Sequence, residues 1–450
     1  MTILRALESS APRATQRATQ RATLAPLGLA LTVALGCATG GVPAGSSTTL
    51  GSTSSTISHT TATSALVPGI EVLLTDSLAL IQGKRVGLIT NHSGMDRRRT
   101  PTIDLIHAVP GVRLTELFGP EHGIRGVSES MVESTVDEKT GVRVNSLYGA
   151  TYAPTPEMLA DVDVLVYDIM DIGVRQYTFE STMALAMKAA ATKGIPFIVL
   201  DRPNPVTGTI IEGNILEPAF ATFVGIHPVA SRHGMTMGEL ARMYNDREHI
   251  DAKLTVVPMK GWRRDMWWDQ YELPWVNPSP NIRSLAAEIH YPGTVFFEAT
   301  NLSEGRATER PFEQTGAPWL KNVEVAAAMN AMRLPGVRFE AVDIPVEAGK
   351  RKFAGQTIKG VRFIATDREV YRPIRASLLM IDLIRRMHPA DFKWTGATQR
   401  DPNMYTIERH SGTGKMRQAI EAGTLPDLLK EWDVDAERFR ALRAPYLIYQ

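Results

Sequence analysis

At 450 residues the chain is long enough for two or three domains with real cores, and its 44% hydrophobic and 22% charged residues are ordinary for a globular protein. A formal net charge of +1 argues against a nucleic-acid surface. A single cysteine excludes both an intramolecular disulfide and a cysteine-rich metal site.

That cysteine closes a recognisable leader. Arg5, Arg13, Arg17 and Arg21 precede an apolar run over 24–35, which ends at Gly36-Cys37. A basic region, a short apolar core and a small residue form the layout of a bacterial export signal. A cysteine directly after the small residue is similar to a lipoprotein lipobox, with Ala34 where leucine is usual. Residues 1–37 are therefore read as a signal with Cys37 as candidate lipidation site, and a plain secreted or periplasmic protein is the alternative. The run is too short for a permanent membrane span. Residues 38–66, rich in Ser, Thr and Gly, read as a flexible tether.

From residue 67 the pattern changes. Short apolar runs predict strands over 86–90, 114–118, 162–167, 197–200 and 254–257, alternating with helices over 101–109, 182–192 and 236–245. This alternation predicts an α/β, Rossmann-like parallel sheet over 67–290, covered on both faces. Ligands bind such sheets beyond the carboxyl ends of the strands. The first four strands here end in Asn91-His92, in Glu121-His122 with Arg125, in Asp168 and Asp171 followed by Arg175 and Tyr177, and in Asp201-Arg202 with Asn204. Four polar ends on one edge converge on one cleft. The densest is Gly119-Pro120-Glu121-His122-Gly123, where glycine and proline fix the backbone path and a carboxyl beside an imidazole suits proton chemistry. His233 stands just before the 236–245 helix.

Four tryptophans lie at 262, 267, 268 and 275. Packing against the sheet flank is their simpler reading, and a sugar-stacking platform is the functional one. A strand is expected over 291–299, followed by a second polar loop with Asn301, Glu304 and Arg306. A boundary near 290 leaves a smaller mixed α+β domain over 291–450, with helices over 323–332 and 374–387, strands over 353–361 and 363–365, and a charged segment from 432. Residues 411–415 hint at a phosphate loop but lack its glycine spacing and the Ser or Thr after the lysine, so a helix start is expected there. No dinucleotide fingerprint, no Gly-x-Ser-x-Gly elbow and no tight histidine pair appears, so neither cofactor nor metal is expected.

Residues 90–94, 118–126, 168–178, 201–208, 232–240, 291–319 and 446–449 resemble, in the same order, the bacterial exo-β-N-acetylmuramidase family. Two positions depart from its pattern: Ala307 replaces the usual glycine after the arginine, and Ser279-Pro280-Asn281 replaces Gly-Pro-Asn. The resemblance implies a Rossmann-like domain, a smaller C-terminal domain and a site in the cleft between them. It implies removal of N-acetylmuramic acid from the non-reducing end of peptidoglycan fragments. With the export signal it implies cell-wall recycling in the envelope, as a periplasmic protein or an outer-membrane lipoprotein.

Glycoside hydrolysis needs two carboxyl groups. Glu121 is the expected acid and Glu304 its expected partner, with Asp168 and Asp171 as alternatives, while His122 tunes the acid or binds a hydroxyl. An arginine fork suits the lactyl carboxylate of muramic acid, and Arg306, Arg202 and Arg175 are the candidates. Two rival classes are a non-catalytic lipoprotein that binds wall fragments and a metal-dependent hydrolase of amides or esters.

Overall fold

The computed structural model describes residues 66–125, 134–349, 351–397 and 402–450. The expected leader, nearly all of the tether and Cys37 lie outside the described residues. Among the described residues no helix is long and apolar enough to cross a membrane.

Helix α1 (Gly69–Asp76) leads into β1 (Arg85–Thr90), α2 (Thr102–His107) and β2 (Arg113–Gly119). Strands β3 (Thr135–Val136) and β4 (Arg143–Ser146) follow, then β5 (Val164–Asp168), α3 (Phe179–Lys193) and β6 (Pro196–Leu200). A side hairpin of β7 (Glu212–Ile215) and β8 (Ala230–Arg232) precedes α4 (Met237–Arg247) and β9 (Lys253–Val257). The sheet runs β3-β4-β2-β1-β5-β6-β9, parallel throughout except for the β3–β4 pair. Counting only the parallel strands, the order is the 3-2-1-4-5-6 of a Rossmann sheet, the fold class that the alternating pattern predicts; β3 and β4 lie outside the strands expected from the sequence. The winding reverses between β1 and β5, where Thr90 pairs with Asp168.

These strands form where the sequence supplies continuous apolar runs that tolerate burial on both faces; every residue of β5 is buried. Local signals set the helix ends. Thr236 and Glu239 make a reciprocal capping box at the start of α4, and α3 stops at Gly194, whose φ of 77° is left-handed.

The second half comprises α5 (Leu285–Thr294), β10 (Gln314–Ala317), α6 (Asn322–Ala331), β11 (Val337–Pro345), β12 (Thr357–Ala365), α7 (Pro373–Met387), α8 (Thr406–Ser411), α9 (Lys415–Ala422) and α10 (Leu425–Arg443). Its three strands form an antiparallel sheet in the order β10-β12-β11. Helix α5 approaches α7 so closely that a Cβ at Gly293 would stand 1.9 Å from the Pro373 carbonyl oxygen. One hydrophobic cluster joins Tyr167 and Val199 of the first sheet to Phe297, Phe363 and Phe439 of the second half.

Two expectations for this half fail. The strand expected over 291–299 is the end of α5 followed by a 3-10 turn, Val295–Ala299. Ser284 starts that helix by accepting from the Ala287 amide at 3.0 Å, and residues 287–294 are all buried, so no periodicity distinguishes helix from strand. The two short strands expected over 353–365 are one strand, and its partner β11 was not expected. β11 is an edge strand with only Phe339 and Ile344 buried, and exposed Arg338 and Asp343 interrupt its apolar signal. The charged segment from 432 begins inside α10 and runs past its end at Arg443 through a 3-10 turn, Ala444–Tyr446.

The last described residues return to the first sheet. The Tyr449 hydroxyl donates to Asp201 Oδ2 at 2.7 Å and accepts from the Met259 amide at 2.9 Å. The Ile448 amide donates to Glu239 Oε1 at 2.9 Å, and the Arg264 amide donates to the Gln450 carbonyl at 3.0 Å.

Candidate active site

Strand β2 delivers Glu121 into a tight turn. The Gly123 amide donates to the Pro120 carbonyl at 2.9 Å, and both His122 and Gly123 have φ of 73°. Histidine in that left-handed region marks a backbone held by its surroundings. The Leu147 amide donates to the Gly119 carbonyl at 2.8 Å and pins the turn to the segment after β4. The Glu121 carboxylate then accepts from the Thr178 hydroxyl at 2.7 Å. Thr178 is the N-cap residue of α3, and its hydroxyl makes no capping bond within the helix. The carboxylate is thus held at the positive end of a 15-residue helix.

Two tyrosines stand beside it. Tyr177 and Tyr291 pack edge to face with ring centroids 6.0 Å apart. Burial raises the Tyr291 phenol, Glu298, Glu121 and Asp171 add to the rise, and Arg306 opposes it, so all four charged groups lie within electrostatic reach of one ring. Burial also raises Asp171, to about 7, against the amides of Gly173, Ile172 and Val174. Its Oδ1 accepts from Gly173 at 2.7 Å, while the buried Oδ2 has no partner among the described residues.

Arg306 and Lys352 hold the second group of carboxylates. Nη1 of Arg306 pairs with Glu298 and, at 3.3 Å, with Glu304, and the guanidinium lies 4.7 Å from the Phe312 ring centroid. Burial works against the Arg306 charge, but the two carboxylates outweigh it. Nζ of Lys352 donates to the carbonyls of Thr300 and Leu302, both at 2.8 Å, and to Glu304 Oε2 at 3.2 Å. His410 Nε2 stands 3.9 Å from Glu298, yet burial, reinforced by Arg409 and Arg306, drives this imidazole down to about 3, so it is neutral. No three His, Cys, Asp or Glu side chains among the described residues are grouped as a metal site requires.

The chain matches the family model described as the N-terminal part of exo-beta-N-acetylmuramidase NamZ over residues 86–286, and the C-terminal part over residues 289–449. It is 44% identical over 384 residues to a protein of Bacillus subtilis named peptidoglycan beta-N-acetylmuramidase NamZ, covering 85% of this chain and 91% of that one. The chain belongs to the exo-β-N-acetylmuramidase NamZ family, a family of glycosidases. Two crystal structures of DUF1343 family proteins from Bacteroides fragilis share the fold. One is 35% identical with a TM-score of 0.79, the other 29% identical with a TM-score of 0.67; each covers 86% of this chain and 99% of its own.

The N-terminal NamZ region supplies Glu121, Asp171, Tyr177 and Thr178, and the C-terminal region supplies Tyr291, Glu298, Glu304, Arg306, Lys352 and His410. The other residues picked out from the sequence make different contacts. Asp168 is fully buried and is gripped by Arg202 through Nε at 2.5 Å and Nη2 at 2.8 Å, with the Thr102 hydroxyl also on Oδ2. Asp201 accepts from Thr236, Gly238 and Tyr449 and braces the start of α4. Arg175 is buried with its guanidinium on the carbonyls of Asn214, Val229 and Ser411. His233 is buried and accepts from the Met235 amide, and Asn204 bridges Met235 and Val206. Arg125 is paired with Asp137, and Asn301 is tied to the backbone of Asp391 and Lys393. Asn91 holds Ser93, whose hydroxyl accepts from Met170 and links the ends of β1 and β5. His92 donates from Nε2 to the Asn277 carbonyl at 2.5 Å, and burial followed by the His122 charge lowers it.

Thr178, Tyr291, Glu298, Lys352 and His410 escape the sequence reading. Thr178 ends a flagged motif, but nothing local says that its hydroxyl faces Glu121. Tyr291 and Glu298 are hidden in the run read as a strand. Lys352 and His410 reach the site from 48 and 106 residues beyond Glu304.

Proposed function

We propose that this protein is an exported exo-β-N-acetylmuramidase that releases N-acetylmuramic acid from the non-reducing end of peptidoglycan fragments, working in the cleft between the two NamZ regions. The observation that carries the reading is the Glu121 carboxylate, anchored by Thr178 and sharing the Tyr291 ring with Glu298 and Arg306 of the other region. In this reading Glu121 Oε1 protonates the glycosidic oxygen while Thr178 fixes the carboxyl rotamer through Oε2. Glu304, held between Arg306 and Lys352, supplies the negative charge that steadies an oxocarbenium-like centre. Both ion pairs of Arg306 use Nη1, and Nη2 is assigned to the lactyl carboxylate.

A second assignment has its own support: burial raises Asp171 to about 7, so that it is protonated through mildly acidic pH, and its buried Oδ2 has no partner among the described residues, which suits a general acid with Glu121 as its partner. An activated aryl muramide separates the two. Loss of the acid is tolerated when the leaving group needs no proton, whereas loss of the nucleophile or base is not. Glu121→Gln that still cleaves the aryl muramide but not a natural disaccharide identifies Glu121 as the acid; the same pattern in Asp171→Asn reverses the roles.

The decisive experiment is incubation with a synthetic muramic acid glycoside with and without chelator. Release of the sugar in both arms supports the glycosidase, inhibition by chelator supports a metal-dependent hydrolase, and binding of wall fragments without turnover supports a non-catalytic lipoprotein. Anchoring through Cys37 is part of the proposal. It predicts fatty-acid labelling of the protein in cells that is lost in Cys37→Ala.

A further inference from the structure

Three of the four tryptophans noted in the sequence are core residues: Trp262, Trp267 and Trp268 are 4%, 0% and 8% exposed. Trp275 differs. It is only partly buried and packs edge to face on Trp268, with centroids 5.5 Å apart at 89°. Its indole nitrogen donates to Asn277 Oδ1 at 2.8 Å, so the ring orientation is fixed rather than free to rotate.

The segment that follows Trp275 runs along the site. The Asn277 carbonyl accepts from His92 at the end of β1. Burial raises the Tyr177 phenol, and the nearby Ser279 side chain opposes that rise. Arg283 donates to the Pro280 carbonyl at 2.9 Å and reaches the Thr308 carbonyl of the C-terminal region at 3.4 Å. Pro278 and Pro280 stiffen this stretch. It therefore forms a wall that touches the β1 end, the tyrosine beside Glu121 and the loop after Arg306. The inner end of the site is enclosed, since Tyr177 and Tyr291 are 7% and 6% exposed and Glu304 is 6% exposed. Trp275 is partly exposed and lies two residues before Asn277, the exposed residue whose carbonyl meets His92.

We infer that the Trp275 ring is a stacking surface for the sugar on the leaving-group side of the scissile bond, an N-acetylglucosamine unit in an alternating glycan. The inference rests on the muramidase reading for the direction of the chain. The terminal muramic unit occupies the enclosed end, and the next unit lies over an aromatic face that presents apolar area to sugar C–H groups, with its polar edge tied to Asn277.

Two measurements test it. The first compares kcat/KM on the disaccharide of muramic acid and N-acetylglucosamine with that on a trifluoroethyl muramide, which has no second sugar. Trp275→Ala lowers the disaccharide value about tenfold and leaves the trifluoroethyl value within about twofold, the effect expected of one lost stacked ring. Trp275→Phe restores most of the disaccharide value. Equal losses on both substrates, or no loss on the disaccharide, overturn the inference. The second titrates chitobiose onto the wild type and onto both variants, which needs no turnover. If the wild type cleaves neither muramide, the muramidase reading has failed. The stacking surface still stands if chitobiose binding is lost in Trp275→Ala and kept in Trp275→Phe, and it falls if all three bind alike.

Discussion

The hydroxyl of Thr178 and the carboxylate of Glu121 meet at 2.7 Å, across 57 residues of sequence. Thr178→Val keeps the shape and removes the donor. It should lower kcat on a muramide by roughly tenfold, the scale of one charge-assisted hydrogen bond lost at a reacting carboxyl. Thr178→Ser should restore most of it. Steady-state kinetics of both variants, with melting temperatures to confirm the fold, check the claim. Unchanged turnover in Thr178→Val removes the threonine from the mechanism.

Asp168 and Arg202 should behave as a stability pair. Both are buried and doubly bonded to each other. Arg202→Met leaves an unpaired carboxylate in the core and should cost about 3–5 kcal/mol in urea unfolding. A variant of normal stability that has lost activity would instead return this pair to the site.

The protonation of Asp171 predicts a pH dependence. Its ordinary value is 3.8 and its folded value about 7, because burial penalises the anion. The unfolded chain therefore loses this proton first, and the stability contributed by the neutral acid falls as pH rises from about 4 to 7. Asp171→Asn has no proton to lose. Its stability relative to the wild type should grow by a few kcal/mol over that window, as measured by unfolding at pH 4, 5.5 and 7. A difference that stays flat with pH disproves the raised value.

Lys352 gathers the loop that carries Glu304. Lys352→Met leaves the Leu302 carbonyl without its donor, at a cost of about 1–3 kcal/mol for the group left unpaired, and leaves the Thr300 carbonyl with the Thr395 hydroxyl at 3.2 Å. Proteolysis should then cut this loop faster and kcat should fall, with β1 to β9 intact by hydrogen exchange. An unaltered cleavage rate counts against the tether.

Five strands of the Rossmann sheet were legible because each carries a short apolar run, most of them ending in a polar turn, whereas β3 and β4, with the sequences Thr-Val and Arg-Val-Asn-Ser, carry no such run. The tight turn that carries Glu121 was legible from its glycine and proline. Residues with the same polar look at neighbouring strand ends had to be separated by their partners, and sequence does not show partners. Asp168 resembles a catalytic acid until Arg202 is seen closing on it. Arg175 resembles an anion site until three backbone carbonyls are found around it. Tyr291 and Glu298 were lost for another reason: a helix end buried on every side leaves no pattern for the eye to follow.

The contact of Tyr449 with Asp201 bears on how this polypeptide can be divided. The family boundary near residue 288 looks like a place to cut, yet the sheet on one side of it takes a hydroxyl from the far side to satisfy a carboxyl buried beneath α4. A fragment ending at that boundary would carry a solvent-starved acid with one fewer donor and an uncovered Trp262 edge. The two regions share one hydrophobic cluster and fold as one object, so either alone should aggregate rather than act as a half-enzyme.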